Sequence, residues 1–171
     1  EFYSDFRKEL AYEMLARLGI GRILAFDIDV FDESNLNRQF LYSIEDTGNF
    51  KAELAAERLK KYAPNTDITF LNKKIESTED LDEMKKFDIV FLAVDNNEAR
   101  MILQKFCAEN KIPLVNGGIN GFYGTAYLYV PEKSPCLDCA GLTEKESADI
   151  TSVSSTAGII GALEAEIGTK Y

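Results

Sequence analysis

The chain contains no histidine. That absence removes the commonest general base and the commonest metal ligand, so any chemistry must run on carboxylates, lysine, arginine, cysteine or a bound nucleotide. Cysteine is scarce as well, and three residues make a poor disulfide framework. Two of them form Cys136-Leu137-Asp138-Cys139, which reads as half a metal site or a redox pair. The third, Cys107, falls in a helical pattern as a small buried apolar residue. Positive charge is in deficit, with 19 basic against 29 acidic residues and a net charge of −10. A surface of that sign argues against nucleic acid as a partner and repels an acidic protein at long range, leaving docking to local patches. No apolar run approaches the roughly 18 residues of a membrane span. Residues Glu1 to Lys8 look nothing like a secretory signal, so a cytoplasmic location is the default expectation.

What is present is the alternation of an α/β protein. At 171 residues the chain is one domain, long enough to bury roughly 70% of its unfolded surface. Glu9 to Leu18 carries apolar residues at helical spacing and stops at Gly19. Arg22 to Phe26 is a short, nearly continuous apolar run, as expected of a buried parallel strand, and it ends on Asp27. The polar stretch Asp32 to Asp46 is too long for an ordinary connector and is a candidate functional loop. Lys51 to Tyr62 is strongly helical, Asp67 to Leu71 alternates like a strand, and Thr78 to Lys86 reads as a short helix.

Phe87 to Val94 is the clearest buried strand, followed by a helix over Asn97 to Asn110 and a strand over Ile112 to Asn116. Gly121 to Val130 alternates as a late, antiparallel strand region, and a small-residue helix begins near Thr156. The expected fold is Rossmann-like, a mainly parallel sheet flanked by helices. Ligands in such folds bind beyond the carboxyl ends of the strands. The loops after Phe26, Val94 and Asn116 all lie there.

One component of such a sheet is lacking. A strand and a Gly-rich turn should precede the first helix, yet no Gly-x-Gly-x-x-Gly occurs. Losing a central strand exposes both neighbouring edges. Either the domain is a variant or a segment is omitted, and the edge argument favours omission. The expectation is a single domain over 1–171 that lacks a first strand and Gly-rich loop between about residues 8 and 9 and is truncated at its C-terminal end.

Gly19 to Gln39 (GIGRILAFDIDVFDESNLNRQ) resembles the ThiF/MoeB/HesA family, relatives of ubiquitin-activating enzymes. Several motifs in order carry the resemblance. Asp27 and Asp29 form Asp-x-Asp, Ser34 to Gln39 form Ser-Asn-Leu-Asn-Arg-Gln, and Lys51 follows twelve residues past the glutamine. Val94-Asp95-Asn96 is similar to the family's Thr-Asp-Asn, the Cys136/Cys139 pair to its first zinc pair, and Ser155 to Ala165 to its closing helix.

The resemblance implies ATP-dependent adenylation of a carboxylate. The substrate it implies is the C-terminal glycine of a ubiquitin-like sulfur-carrier protein with a Gly-Gly tail, activated for thiamine or molybdenum-cofactor synthesis. Positioning and cationic stabilisation dominate such a reaction. By the resemblance, Asp27 accepts hydrogen bonds from the ribose. Arg38 and Lys51 contact the phosphates, Asp95 holds Mg²⁺, and Asn35 and Asn96 position nucleotide or metal. Asp29, Ser34, Asn37 and Gln39 complete the nucleotide-binding set. The carrier tail would run near Gly117, Gly118 and Asn120, and a homodimer is expected. Arg7 is the candidate for an arginine that reaches across its interface.

Each of these residues has a plainer reading. Asp27 can cap a turn, the Asn and Asp residues of 32–37 are ordinary turn formers, and Lys51 alone reads as a solvated surface lysine. Asp95-Asn96 can cap the helix from Asn97. Zn²⁺ wants four ligands, and the family's second cysteine pair lies beyond the closing helix. Ile150 to Ser155 also carries no cysteine where many relatives have a catalytic one. Two other classes stay open: a non-catalytic module of the same fold that docks a carrier, and an NAD-dependent oxidoreductase.

Overall fold

The computed structural model describes residues 4–36, 39–94, 96–143 and 154–171. In chain order the elements are α1 (Ser4–Arg17), β1 (Arg22–Phe26), α2 (Lys51–Tyr62), β2 (Asp67–Leu71), β3 (Val90–Leu92), α3 (Asn97–Asn110), β4 (Leu114–Asn120), β5 (Tyr123–Tyr129) and α4 (Ser154–Lys170). Short 3₁₀ turns occupy Glu33–Asn35 and Ile44–Asp46, and a longer one spans Thr78–Lys86.

The α/β class is as expected, and two of the three strand pairings are parallel. β1 pairs with β2 and β3 with β4 in parallel, while β4 and β5 form an antiparallel hairpin. The strands are divided, however, into a two-stranded and a three-stranded sheet. The expected strand over 87–94 shrinks to three residues, and β4 begins two residues later than anticipated and runs on to Asn120. Gly117 and Gly118 therefore lie inside a strand, in register with Ala126 and Thr125. Helix α1 passes without interruption through Lys8 and Glu9.

Local chemistry explains where several elements begin and end. Asn96 caps α3 by accepting the Ala99 N–H at 2.8 Å, a contact of a kind that contributes about 1 kcal/mol. Lys111 closes that helix in the left-handed conformation, with φ of 57°. Ser77 and Asp80 form a reciprocal capping box at the 3₁₀ stretch, with Asp80 accepting the Ser77 N–H at 3.0 Å.

Two apolar clusters form the core. One joins Leu15 of α1, Ile23, Leu59 of α2 and Ile68. The other joins Val90, Leu92, Leu103 and Phe106 of α3, and Leu114, and it includes Cys107, fully buried as its pattern suggested. Helix α4 packs on α1 and across β4 and β5. Gly161 permits that approach, since a Cβ there would stand 2.6 Å from the Arg7 carbonyl oxygen.

Candidate functional site

The site is built where β1 ends. Asp27 follows the last residue of the strand, and its N–H bonds to Leu71 O of β2 at 3.0 Å. Its Oδ1 accepts the Asp29 N–H at 2.9 Å, folding the chain back so that both carboxylates stand at the same strand end. Burial pushes the Asp27 carboxyl above its ordinary range, against the opposing pull of Lys8 and of the Asp29 N–H. An acid at the carboxyl end of a strand is placed to accept hydroxyl hydrogen bonds.

Lys51 opens α2 and is brought to the same place. Its N–H bonds to Asp29 O at 2.9 Å, and its Nζ stands 3.3 Å from Asp29 Oδ2. The neighbouring bridge between Val30 and Phe50 fastens the two segments together. The lysine side chain is only 5% exposed, so the reading as a solvated surface lysine fails. A buried ammonium held beside a carboxylate is a fixed charge at the strand end.

The loop between Asp29 and Lys51 is held at several points. Asp32 Oδ1 accepts the Ser34 N–H at 2.9 Å, and Gln39 N–H bonds to Asn35 O at 2.9 Å. Asn35 and Gln39 are both buried, and Gln39 Oε1 has no hydrogen-bond partner among the described residues. A buried amide oxygen left over in a loop is one that a ligand hydroxyl or amino group can satisfy. Ser34 is exposed at the loop surface. Asn37 and Arg38 lie outside the described residues.

Two further anchors had no signal in the motifs. Glu9 of α1 accepts the N–H groups of Phe40 and Leu41 at 2.9 and 3.1 Å. Arg58 of α2 donates to Leu41 O and stands 2.6 Å from Asp46 Oδ2. Burial works against the Asp46 carboxylate, but the Ser43 N–H and Arg58 together hold its pKa below the ordinary range. Their helical positions spaced the residues for burial, which was the available clue.

Beyond β3, Arg100 of α3 donates to Asn116 Oδ1 at 2.6 Å and to Val94 O at 3.4 Å, pinning the exit of that strand. Asp95 lies outside the described residues. Asn96 spends its side-chain oxygen on the helix cap, so the capping reading holds for it.

Two expectations are corrected. Arg7 does not extend toward a neighbour, because its guanidinium is buried against Glu164 Oε1 at 3.3 Å, Leu92 O at 3.4 Å and Gly117 O. Desolvation pushes the Glu164 carboxyl up to about 7, although Arg7 and Arg100 oppose it. Gly117 in turn offers no groove to a peptide tail. A Cβ there would meet the Arg7 and Glu164 side chains, which already fill the space. Gly118 and Asn120 are less covered.

The cysteine pair sits apart from this cluster, anchored to α3 and β5. Leu137 N–H bonds to Gln104 Oε1 at 3.2 Å, and Tyr127 OH donates to Pro135 O at 2.8 Å. The sulfurs are 3.0 Å apart. Hydrogen bonding between them lowers the Cys136 pKa and raises that of Cys139. They supply two of the four ligands a structural zinc needs. No group of three or more His, Cys, Asp or Glu side chains placed to hold a metal occurs among the described residues. The fit to zinc is therefore incomplete among the described residues. No helix among the described residues is long and apolar enough to cross a membrane.

A sequence model of the ThiF family matches residues 9–171, nearly the whole chain. The chain belongs to the ThiF family. Among curated ThiF-like relatives, the SAMP-activating enzyme E1 of Haloferax volcanii is 31% identical over 158 residues, covering 92% of this chain and 58% of that protein. The sulfur carrier protein ThiS adenylyltransferase of Bacillus subtilis is 33% identical over 129 residues, covering 74% and 38%. Escherichia coli MccB, solved with AMPCPP and MccA, shares the fold with a TM-score of 0.86 at 24% identity, over 98% of this chain and 53% of that one. The chain thus spans between about two fifths and three fifths of the length of these proteins.

Proposed function

We propose that this chain is the ATP-binding core of an adenylyltransferase that activates the C-terminal carboxylate of a ubiquitin-like protein, a sulfur carrier with a Gly-Gly tail. The observation that carries the reading is the convergence of Asp27, Asp29 and the buried Lys51 at the end of β1. Membership of the ThiF family and the likeness to the ThiS adenylyltransferase support it.

In this reading the carrier carboxylate attacks the α-phosphorus of ATP. The bond to the bridging oxygen breaks, and acyl-adenylate and pyrophosphate form. Asp27 accepts hydrogen bonds from the ribose, and Lys51 places one positive charge against the phosphates. Arg38 would add a planar cation and Asp95 would hold Mg²⁺, which when bound neutralises charge on the phosphates. Removing one oriented charge of this kind costs on the order of 10²–10³-fold in rate. We place the enzyme in the cytoplasm as a homodimer, with zinc at Cys136 and Cys139 if two further ligands are supplied from outside the described residues.

A second reading, a non-catalytic module that docks a carrier, draws on the missing Gly-x-Gly-x-x-Gly turn. ATP–pyrophosphate exchange, measured with and without a Gly-Gly-terminated carrier and beside an Asp95→Ala variant, separates the two. Exchange that needs the carrier and is lost in the variant supports adenylation. Absence of exchange with every carrier supports the docking module.

A further inference from the structure

The loop between β1 and α2 gains little of its placement from apolar packing. Leu36, Phe40 and Ile44 are exposed, while Leu41 and Tyr42 turn inward. Bonds within the loop, from Ser34 N–H to Asp32 and from Gln39 N–H to Asn35 O, fix its local shape. They do not fix where that shape stands against the helices.

Two helices supply the missing hold, and they grip adjoining peptide units. From α1, a single oxygen of Glu9, Oε2, accepts the N–H groups of both Phe40 and Leu41, at 2.9 and 3.1 Å. From α2, Arg58 donates one nitrogen to Leu41 O and holds Asp46 Oδ2 with the other at 2.6 Å. Asp46 in turn accepts the Ser43 N–H and hydroxyl at 2.6 and 2.9 Å. The Arg58 guanidinium also lies 5.9 Å from the centre of the Tyr42 ring, within cation–π range. Leu41 is thus bound by a carboxylate at its N–H and by a guanidinium at its C=O. Hydrogen bonds to ionised groups are roughly twice as strong as neutral ones.

The gripped stretch joins two parts of the site. Gln39 stands immediately before it, with a buried side chain whose Oε1 has no hydrogen-bond partner among the described residues. Tyr42 follows it, donating its hydroxyl to Lys51 O at 3.3 Å and packing on Phe31 with ring centroids 5.0 Å apart. The stretch therefore carries an unsatisfied acceptor at one end and is tied to the start of α2 at the other. A displacement of about 1 Å in a positioned group can cost on the order of 10²-fold.

We propose that Glu9 and Arg58 are positioning residues for nucleotide binding. By fixing the Phe40–Leu41 backbone they hold Gln39 Oε1 where a nucleotide hydroxyl or amino group meets it. Both act through Gln39. The inference rests on the reading of this site as an ATP site.

The test measures AMPCPP affinity by titration calorimetry on the full-length protein, with each variant first shown to be folded by circular dichroism. Glu9→Ala and Arg58→Lys should each weaken binding about tenfold, since neither can complete the grip. Glu9→Gln keeps an acceptor for the two N–H groups and should stay within about threefold of the parent. Gln39→Ala should itself lose about tenfold, and adding Glu9→Ala to it should cost less than about threefold more, because both changes remove one effect. Losses that multiply in the combined variant, parent-like affinity in Glu9→Ala and Arg58→Lys, or a parent that does not bind AMPCPP would each overturn the proposal. Pyrophosphate exchange by the parent tests adenylation separately. A parent that binds AMPCPP with this pattern of losses but never exchanges would sink the adenylation reading and leave the two positioning residues standing.

Discussion

Lys51 and Asp29 are joined twice, through the lysine N–H on the aspartate carbonyl at 2.9 Å and through Nζ on Oδ2 at 3.3 Å. The side chain of the lysine is buried while that of the aspartate is half exposed. Replacing Lys51 with Met keeps the apolar stem and leaves Asp29 to be solvated. With one partner buried and the other half exposed, the pair lies between a surface and a buried ion pair, and stability should fall by about 1–3 kcal/mol, or several degrees in Tm. ATP–pyrophosphate exchange should fall on the order of 10²–10³-fold. Melting curves beside exchange rates check both numbers.

Glu164 makes stability depend on pH in a direction opposite to most carboxylates. Its folded pKa, about 7, stands above the ordinary 4.5. The folded protein therefore binds the proton more tightly. The contribution is fully present below about pH 4.5 and is lost as pH rises through 7. Urea unfolding across pH 5 to 8 should show this decline in the parent protein. Glu164→Gln, which keeps the shape without the charge, should flatten it.

The contact between α1 and α4 turns on Gly161. Helix propensity alone favours alanine over glycine by about 1 kcal/mol. A Cβ at this position meets the Arg7 carbonyl oxygen at 2.6 Å, which is backbone and cannot swing aside. Gly161→Ala should therefore destabilise the protein, by about 1–3 kcal/mol. Chemical denaturation measures the change, and a stabilised variant would show that the helices separate freely.

The three thiols should react in a definite order. Burial pushes Cys107 up to about 12, whereas the Cys139 thiol lowers its neighbour Cys136. Thiolate is the reactive form. Iodoacetamide at neutral pH should modify Cys136 first and leave Cys107 untouched until the protein is denatured. Peptide mapping by mass spectrometry reads the order directly.

Much of this was legible from local pattern. The bounds of β1, α2, β2 and α3 coincide with the expected ones, because periodicity and turn residues act over a few neighbours. The phosphate-contact role of Arg38 and the metal role of Asp95 rest on motif alone. Lys51 was harder to place: its burial depends on the bridge between Val30 and Phe50, which no helical pattern announces. Arg7 was misjudged because its partners, Glu164 and Gly117, lie 157 and 110 residues away.

The sequence by itself determined the order of strands and helices, the scarcity of chemical groups, and the acidic and basic residues gathered behind β1. These are matters of composition and short-range spacing. Only the tertiary structure decided that Lys51 is buried on Asp29, that Arg7 fills the space beside Gly117, and that Glu9 and Arg58 grip Leu41 from two helices. Each of those depends on which surfaces meet after the chain has folded. Desolvation and the pairing of polar groups act between neighbours in space, and sequence spacing carries no direct record of them.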